Sequence, residues 1–426
     1  MKYFAFLVLA AAALGAAAAD IPLTIAEAQR RAVDRSMQVV ARDAAISASR
    51  HMAAAAGHLP DPTLRAGLEN VPVTGPDKFN LNSDSMTMLR VGLMQELTRG
   101  DKLRLRSERF ELEAEKSEVE RTATLAAIQR DSALAWLDRY YAAAVVRLVG
   151  EQVGEARLEI EAAESAYRAG RGTQADVFGA RANVASLEDR ASEARRKLAN
   201  AKVALARWIG DEAERPLAEK PPLDTTRMHG HHLPTELASH PMVALLAREE
   251  QIAATDARLA SANRSADWSV ELAYQSRGSP FSDMVSIGVS VPLQWDRPHR
   301  QDEEVASKLA MADQARALRE DALQSHLAEV QAMLVEWDDD RERLRRYEAE
   351  IVPLARDRSD AALAAYRGSK ASLMDVLSAR RAEIDARLQA LQLEAEAARV
   401  WAQLNFLVPD ESVLPVGMVG AREEKP

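Results

Sequence analysis

The chain has 426 residues, no cysteine, 55 Lys and Arg against 65 Asp and Glu, and a formal charge of -10. With 47% hydrophobic and 28% charged residues it is not disordered throughout. Zero cysteine excludes disulfides, thiolate metal sites, cysteine nucleophiles and a lipid anchor on an N-terminal cysteine, and the acidic balance argues against nucleic acid as a partner.

Residues 1–19 carry Lys2, an apolar stretch from Phe4 to Leu14 and the small-residue run Ala16 to Ala19. This is the pattern of a signal peptide cut after Ala19. No apolar run of about 18 residues follows, so a membrane helix is not expected, although strands could still cross a bilayer.

Thr24-Ile-Ala-Glu27 has capping-box spacing and predicts a helix from Thr24 to His58, about 50 Å long. Next come two segments of period two. Leu64, Ala66 and Leu68 alternate with Arg65, Gly67 and Glu69, and Thr87, Leu89, Val91 and Leu93 alternate with Met88, Arg90 and Gly92. The Pro/Gly/Asn/Ser-rich stretch Val71 to Asp84 between them reads as a hairpin loop. From Asp101 to Ala169 a helix of about 100 Å is expected, with the seam Leu134, Leu137, Tyr141, Ala144, Leu148. A return helix from Gln174 to Trp208 carries Val184, Leu187, Ala191, Ala194, Leu198, Ala201, Leu205 and Trp208 at heptad spacing.

After the proline-rich stretch Asp211 to Pro234, the order begins again. Trp268, Val270, Leu272 and Tyr274, then Val285, Ile287, Val289 and Val291, mark a second strand pair around the loop Ser276 to Asp283. A long helix from His299 to Val352 and a last one from Ala371 to Val408 carry seams of the same kind. One apolar and one polar or small face suits barrel strands with lipid outside and water inside; it also suits a soluble sheet packed on helices, and the export signal favours the barrel. Four strands cannot close a membrane barrel, so the chain must oligomerise.

The two halves are displaced by about 200 residues. Tyr167-Arg-Ala-Gly-Arg-Gly-Thr-Gln-Ala-Asp176-Val-Phe-Gly-Ala-Arg181 aligns without gaps with Tyr366-Arg-Gly-Ser-Lys-Ala-Ser-Leu-Met-Asp375-Val-Leu-Ser-Ala-Arg380. Thr173 and Ser372 stand three residues before Asp176 and Asp375, the spacing of a helix-starting capping box. The expected organisation is a signal peptide (1–19), a first repeat (20–215), a Pro/His-rich linker (216–233), a second repeat (234–409) and a C-terminal tail (410–426).

The duplicated layout, the Tyr-x-x-Gly-x-x-Thr/Ser-x-x-Asp-Val turn and the strand-to-helix passage Gln95-Glu-Leu-Thr-Arg-Gly-Asp-Lys102 resemble the outer-membrane efflux protein family, of which TolC is the name-giving member. Leu59-Pro-Asp-Pro-Thr-Leu64, Glu69-Asn-Val-Pro72 and Met86-Thr-Met88 resemble its heavy-metal efflux branch. The resemblance implies a mainly α fold with a small β part. Long coiled helices would form a periplasmic α-barrel, and four strands per chain would join a trimeric 12-strand barrel in outer-membrane lipid. It implies a homotrimer that docks on a periplasmic adaptor (membrane fusion protein) and an inner-membrane pump of the resistance-nodulation-division class. It places Gly170, Arg171, Gly172, Thr173 and Ser369, Lys370, Ala371, Ser372 at the adaptor-docking tip, and Asp375 with Asp176 at a pore constriction. Ser369 departs from the usual Gly, Ser378 from a second constricting Asp, and Ala371 from a gate arginine, so an arginine-latched gate is not implied. Helix capping explains Asp176 and Asp375 equally well.

His229, His231 and His232 could bind Zn²⁺ or Cu²⁺ but lack a spacing that pre-organises them. Met86 and Met88 share the strand face expected to line the pore, where methionine could offer a soft ligand or simply pack. The run Glu336-Trp-Asp338-Asp-Asp340 followed by Arg341-Glu-Arg343 reads as a solvated helix face. No G-x-S-x-G, Walker or H-E-x-x-H motif occurs, so neither an enzyme nor a cofactor is expected. The expected function is a passive efflux conduit, with heavy-metal cations as preferred cargo. Drug efflux, type I protein secretion and a secreted coiled-coil scaffold without a channel are the alternatives.

Overall fold

The computed structural model describes residues 21–228, 233, 237, 240–279, 281–368 and 370–414; the expected signal peptide lies outside them. In chain order the elements are α1 (Ile25–Asp34), α2 (Met37–Ala56), β1 (Thr63–Glu69), β2 (Met88–Leu97), α3 (Gly100–Arg168) and α4 (Gln174–Ile209). They continue as α5 (Pro241–Ala262), β3 (Trp268–Ser276), β4 (Met284–Ser290), α6 (Gln301–Arg346), α7 (Val352–Arg367) and α8 (Leu373–Asn405). The expected order therefore appears twice. No helix among the described residues is long and apolar enough to cross a membrane.

Two local expectations need correction. The helix expected from Thr24 to His58 is two helices, because Ser36 Oγ accepts from the Val39 amide at 3.4 Å and starts α2 afresh. Thr24 does cap α1, accepting from the Glu27 amide at 3.1 Å. The Glu27 carboxylate, however, binds Arg31 at 3.0 Å and Arg215 at 2.8 Å instead of closing the box, since guanidinium partners make stronger bonds than a neutral amide. Further on, a π-helical turn, Tyr347–Ile351, joins α6 to α7. Pro353 follows it and has no N–H to donate, so the chain widens by one residue there and still remains helical.

The chain divides into two compact units, and each draws on both repeats. One unit, residues 40–121 and 241–323, holds an antiparallel sheet of order β1-β2-β3-β4. Its register sets Leu64 opposite Leu93, Leu93 opposite Leu272, and Leu272 opposite Ile287. The repeats thus meet at the β2–β3 pair. Where helix and strand join, Lys102 is almost fully buried, and its Nζ donates to Ser265 O at 2.6 Å and to Asp267 Oδ2 at 2.8 Å. The Arg99 amide donates to the other oxygen of Asp267 at 3.1 Å. The start of α3 is thereby fastened to the start of β3.

The other unit, residues 21–39, 122–240 and 324–414, is ordered around α3. Trp136 is fully buried and donates through Nε1 to Leu23 O at 3.0 Å, while Leu23 bridges Leu217 as a short parallel strand pair. Gln129, also fully buried, donates to Asp410 O at 3.0 Å and accepts from the Asp410 amide at 2.7 Å. Within the expected linker, the Arg227 amide donates to Asn405 Oδ1 at 3.0 Å, and Thr225 O accepts from Trp401 Nε1 at 2.8 Å. The described part of that stretch is tied to the helices by side-chain hydrogen bonds that its proline content does not reveal.

Replacing Lys102 by Met leaves the Asp267 carboxylate without its buried cation. Loss of one partner from a buried pair costs about 3–5 kcal/mol, so the variant is expected to unfold at a clearly lower guanidinium midpoint than the parent; an unchanged midpoint would show that Lys102 does not hold this junction.

Candidate functional site

The sheet has two chemically different faces. Leu64, Leu68, Leu89, Val91, Leu93, Leu97, Trp268, Leu272, Tyr274, Val285, Ile287 and Val289 lie on one, all substantially exposed, with Ile287 at 75% and Val285 at 67%. β-Branched and aromatic residues at alternate positions form the strands, and the register stacks them into continuous apolar rows. Arg65, Arg90, Gly92, Met88, Met94, Glu271, Ala273, Gln275 and Ser286 occupy the other face. Arg90 pairs there with Glu69 and Glu271, each at 3.0 Å. A Cβ at Gly92 would come within 2.9 Å of Ala273 Cβ, so this face is closely packed at its centre. Met88 lies on the polar face as expected, opposite Glu69, but Met86 precedes the strand. β1 and β4 are the edges, each with one side unpaired within the chain.

The second candidate site is the pair of turns. Thr173 Oγ1 accepts from the Asp176 amide at 3.2 Å, and Asp176 Oδ2 accepts from the Thr173 amide and hydroxyl, both at 2.8 Å. Ser372 and Asp375 repeat the arrangement at 3.2, 2.9 and 2.7 Å. The predicted capping boxes are therefore present in both turns and begin α4 and α8. Hydrogen bonds from the Ser372 hydroxyl and amide hold the Asp375 carboxyl below the usual range. Gly170 adopts φ +72°, which an L side chain rarely adopts, and a Cβ on Gly172 would lie 3.2 Å from Ala166 Cβ. Arg171 N to Ala166 O at 2.9 Å and Lys370 N to Ala365 O at 2.8 Å close the preceding helices in the same way. Behind the turns, Ala163, Val177, Ala180, Leu373, Val376 and Leu377 form one buried cluster. Ser369 lies outside the described residues, as do His229, His231 and His232.

The sequence reading missed the arginine ladder that fixes α8 on α3. Arg380 binds Glu155 at 2.9 Å and approaches Glu159 at 3.6 Å, Arg387 approaches Glu151 at 3.7 Å, and Arg399 binds Asp138 at 2.8 Å. Arg190 on α4 adds a bond to Asp385 at 3.0 Å. Burial pushes the Glu159 carboxyl up against the opposing pull of Arg380. The signal was available: Arg380 and Arg387 are one heptad apart, and Glu151, Glu155 and Glu159 recur every four residues. Arg181, the counterpart of Arg380 in the first turn, binds Glu164 at 2.8 Å.

A small antiparallel sheet with one exposed apolar face and long helices is a fold this chain shares with solved membrane proteins. The solved structure of CusC, described as forming a transmembrane channel, matches at a TM-score of 0.76 and 14% identity, over 92% of this chain and 94% of that one. A membrane protein from Pseudomonas aeruginosa matches at 0.78 and 16%, over 93% of each chain. The outer membrane protein VceC from Vibrio cholerae matches at 0.73 and 21%, over 90% of this chain and 95% of its own. Residues 23–211 match the profile of the outer membrane efflux protein family. No curated protein matches it in sequence.

The Asp375 carboxyl is held below its ordinary pKa, so its contribution to the turn is complete above the unfolded value of about 3.9 and is lost as pH falls through the folded value. Hydrogen exchange should show the first turn of α8 losing protection in acid before the middle of the helix. Ser372→Ala should loosen that turn at neutral pH by about 1 kcal/mol; equal protection in the variant and the parent would show that the cap does not hold this turn.

Proposed function

We propose that the protein is the outer-membrane channel of a tripartite efflux system, conducting heavy-metal cations passively outward. The sheet lies in the outer membrane, and the helical part lies in the periplasm. One observation carries the channel reading: the twelve exposed apolar residues named above share one face of a sheet whose two edge strands are free to pair. Three copies joined β4 to β1 make twelve strands, turn those rows toward lipid and enclose the polar face. The turns at 170–173 and 369–372 are the docking tip for a periplasmic adaptor, which couples the channel to an inner-membrane pump of the resistance-nodulation-division class. Asp375 and Asp176 narrow and charge the periplasmic entrance, since carboxylates repeated around a threefold axis attract cations. A metal-ion cargo is supported by the branch-like segments 59–64, 69–72 and 86–88. It is also supported by the pairing of Met88 with Glu69 and of Met94 with Glu271 on the polar face, which sets soft and anionic donors side by side.

Arginine at Ile287 or Val289 should cost about 2–4 kcal/mol near the bilayer midplane and reduce the heat-modifiable, membrane-extracted oligomer. Normal membrane association of both variants would favour a coiled-coil scaffold over a channel. A strain lacking the gene should become sensitive to one or more of copper, silver, zinc, cadmium and cobalt, and Asp375→Asn should lower cation selectivity in planar bilayers. Intact metal tolerance with lost drug tolerance would transfer the cargo to drugs, and unaltered selectivity would remove Asp375 from the constriction.

A further inference from the structure

We propose that His240 and His326 form a binding site for a borderline divalent cation such as Zn²⁺, with Glu329 orienting His326. His240 immediately precedes α5, and His326 lies on α6. Their ring centres are 4.9 Å apart with the planes inclined at 42°, which is neither parallel stacking nor an edge-to-face pair. Two imidazoles on one tetrahedral zinc, each bound at about 2.0–2.1 Å, have ring centres about 5 Å apart. The observed spacing already meets that requirement.

The nitrogen chemistry agrees with the spacing. His326 Nδ1 lies 3.2 Å from Glu329 Oε2, so the carboxylate accepts a hydrogen bond from Nδ1–H and leaves Nε2 as the ligand atom. Carboxylate, histidine and metal in series is the common means of fixing a ligating imidazole. His240 packs directly against the His326 ring, so the two imidazoles stand at one place in the fold. Among the described residues no group of three or more His, Cys, Asp or Glu is assembled around a metal position. The site is therefore a two-imidazole site completed by water, a donor set suited to zinc, copper or nickel. A bound ion would clip the chain entering α5 to α6. The inference stands on this geometry and does not depend on the cargo of the channel.

Calorimetric titration of the purified full-length protein in detergent with ZnCl₂ tests it, with the visible absorption of added Co²⁺ as a second readout of imidazole coordination. One Zn²⁺ per chain is expected, with affinity falling more than tenfold in His240→Gln and in His326→Gln. Glu329→Gln, at a side chain that is 63% exposed, should keep the fold and weaken binding about tenfold. A triple Ala variant at His229, His231 and His232 should bind as the parent does. Absence of Zn²⁺ binding in the parent, full binding in His240→Gln, or loss of binding in the triple variant would overturn the site. An unchanged affinity in Glu329→Gln would overturn the orienting role.

Discussion

Everything in this fold answers to an apolar sheet face that the chain cannot cover by itself. A four-stranded sheet normally buries such a face against helices or a second sheet. Here the helices leave from the strand ends, through junctions such as Lys102–Asp267, and the rows from Leu64 to Ile287 stay open. Water is a poor solvent for surface of this size, and hydrocarbon is a good one. The edge strands impose the matching demand, because in a bilayer every backbone N–H and C=O must be paired. In the proposed channel both demands would be met together by copies of the chain joined edge to edge into a closed barrel.

The helical unit is held by a different division of labour. Its seams use alanine and valine, as in the cluster of Val149, Val153, Ala156, Val184, Leu187, Ala191 and Ile384, which allows close approach but gives little depth of burial per residue. Orientation is supplied at the margins by paired charges. Each exposed arginine–carboxylate pair contributes at most about 1 kcal/mol, yet Arg380, Arg387 and Arg399 draw on carboxylates of α3 at successive heights and so fix rotation and register. The stronger anchors lie elsewhere in the unit: buried Gln129 and Trp136 take up backbone groups at Asp410 and Leu23 that would otherwise need water.

What could be read from the sequence was whatever has a local period or a local spacing. Strand faces follow from alternation, helix seams from steps of three and four, and the capping boxes at Thr173 and Ser372 from a three-residue offset. Features decided by partners distant in sequence could not be read in this way. The Glu27 carboxylate has the right offset to close a box at Thr24, but Arg215, 188 residues away, draws it off. The proline-rich stretch reads as a linker from composition, whereas Asn405 and Trp401 hold its described part. The π-turn before Pro353 is an intermediate case: the proline is visible, but the choice between a break and a one-residue widening depends on neighbouring turns.

In the proposed channel, capping and a place at the aperture are compatible demands on one side chain. Gly170 and Gly172 of the first turn correspond to Ser369 and Ala371 of the second, so the glycines are not what the repeats share. They share the hydroxyl–carboxylate box, with the same bonds at nearly the same lengths. A carboxylate that lines an opening must remain ionised and must not swing away. Both Ser372 bonds fall on Oδ2 of Asp375, which fixes the group in place, and the same bonds hold its pKa low. In the proposed constriction, the cap at Ser372 would supply a carboxylate that is held in place and whose charged form is favoured.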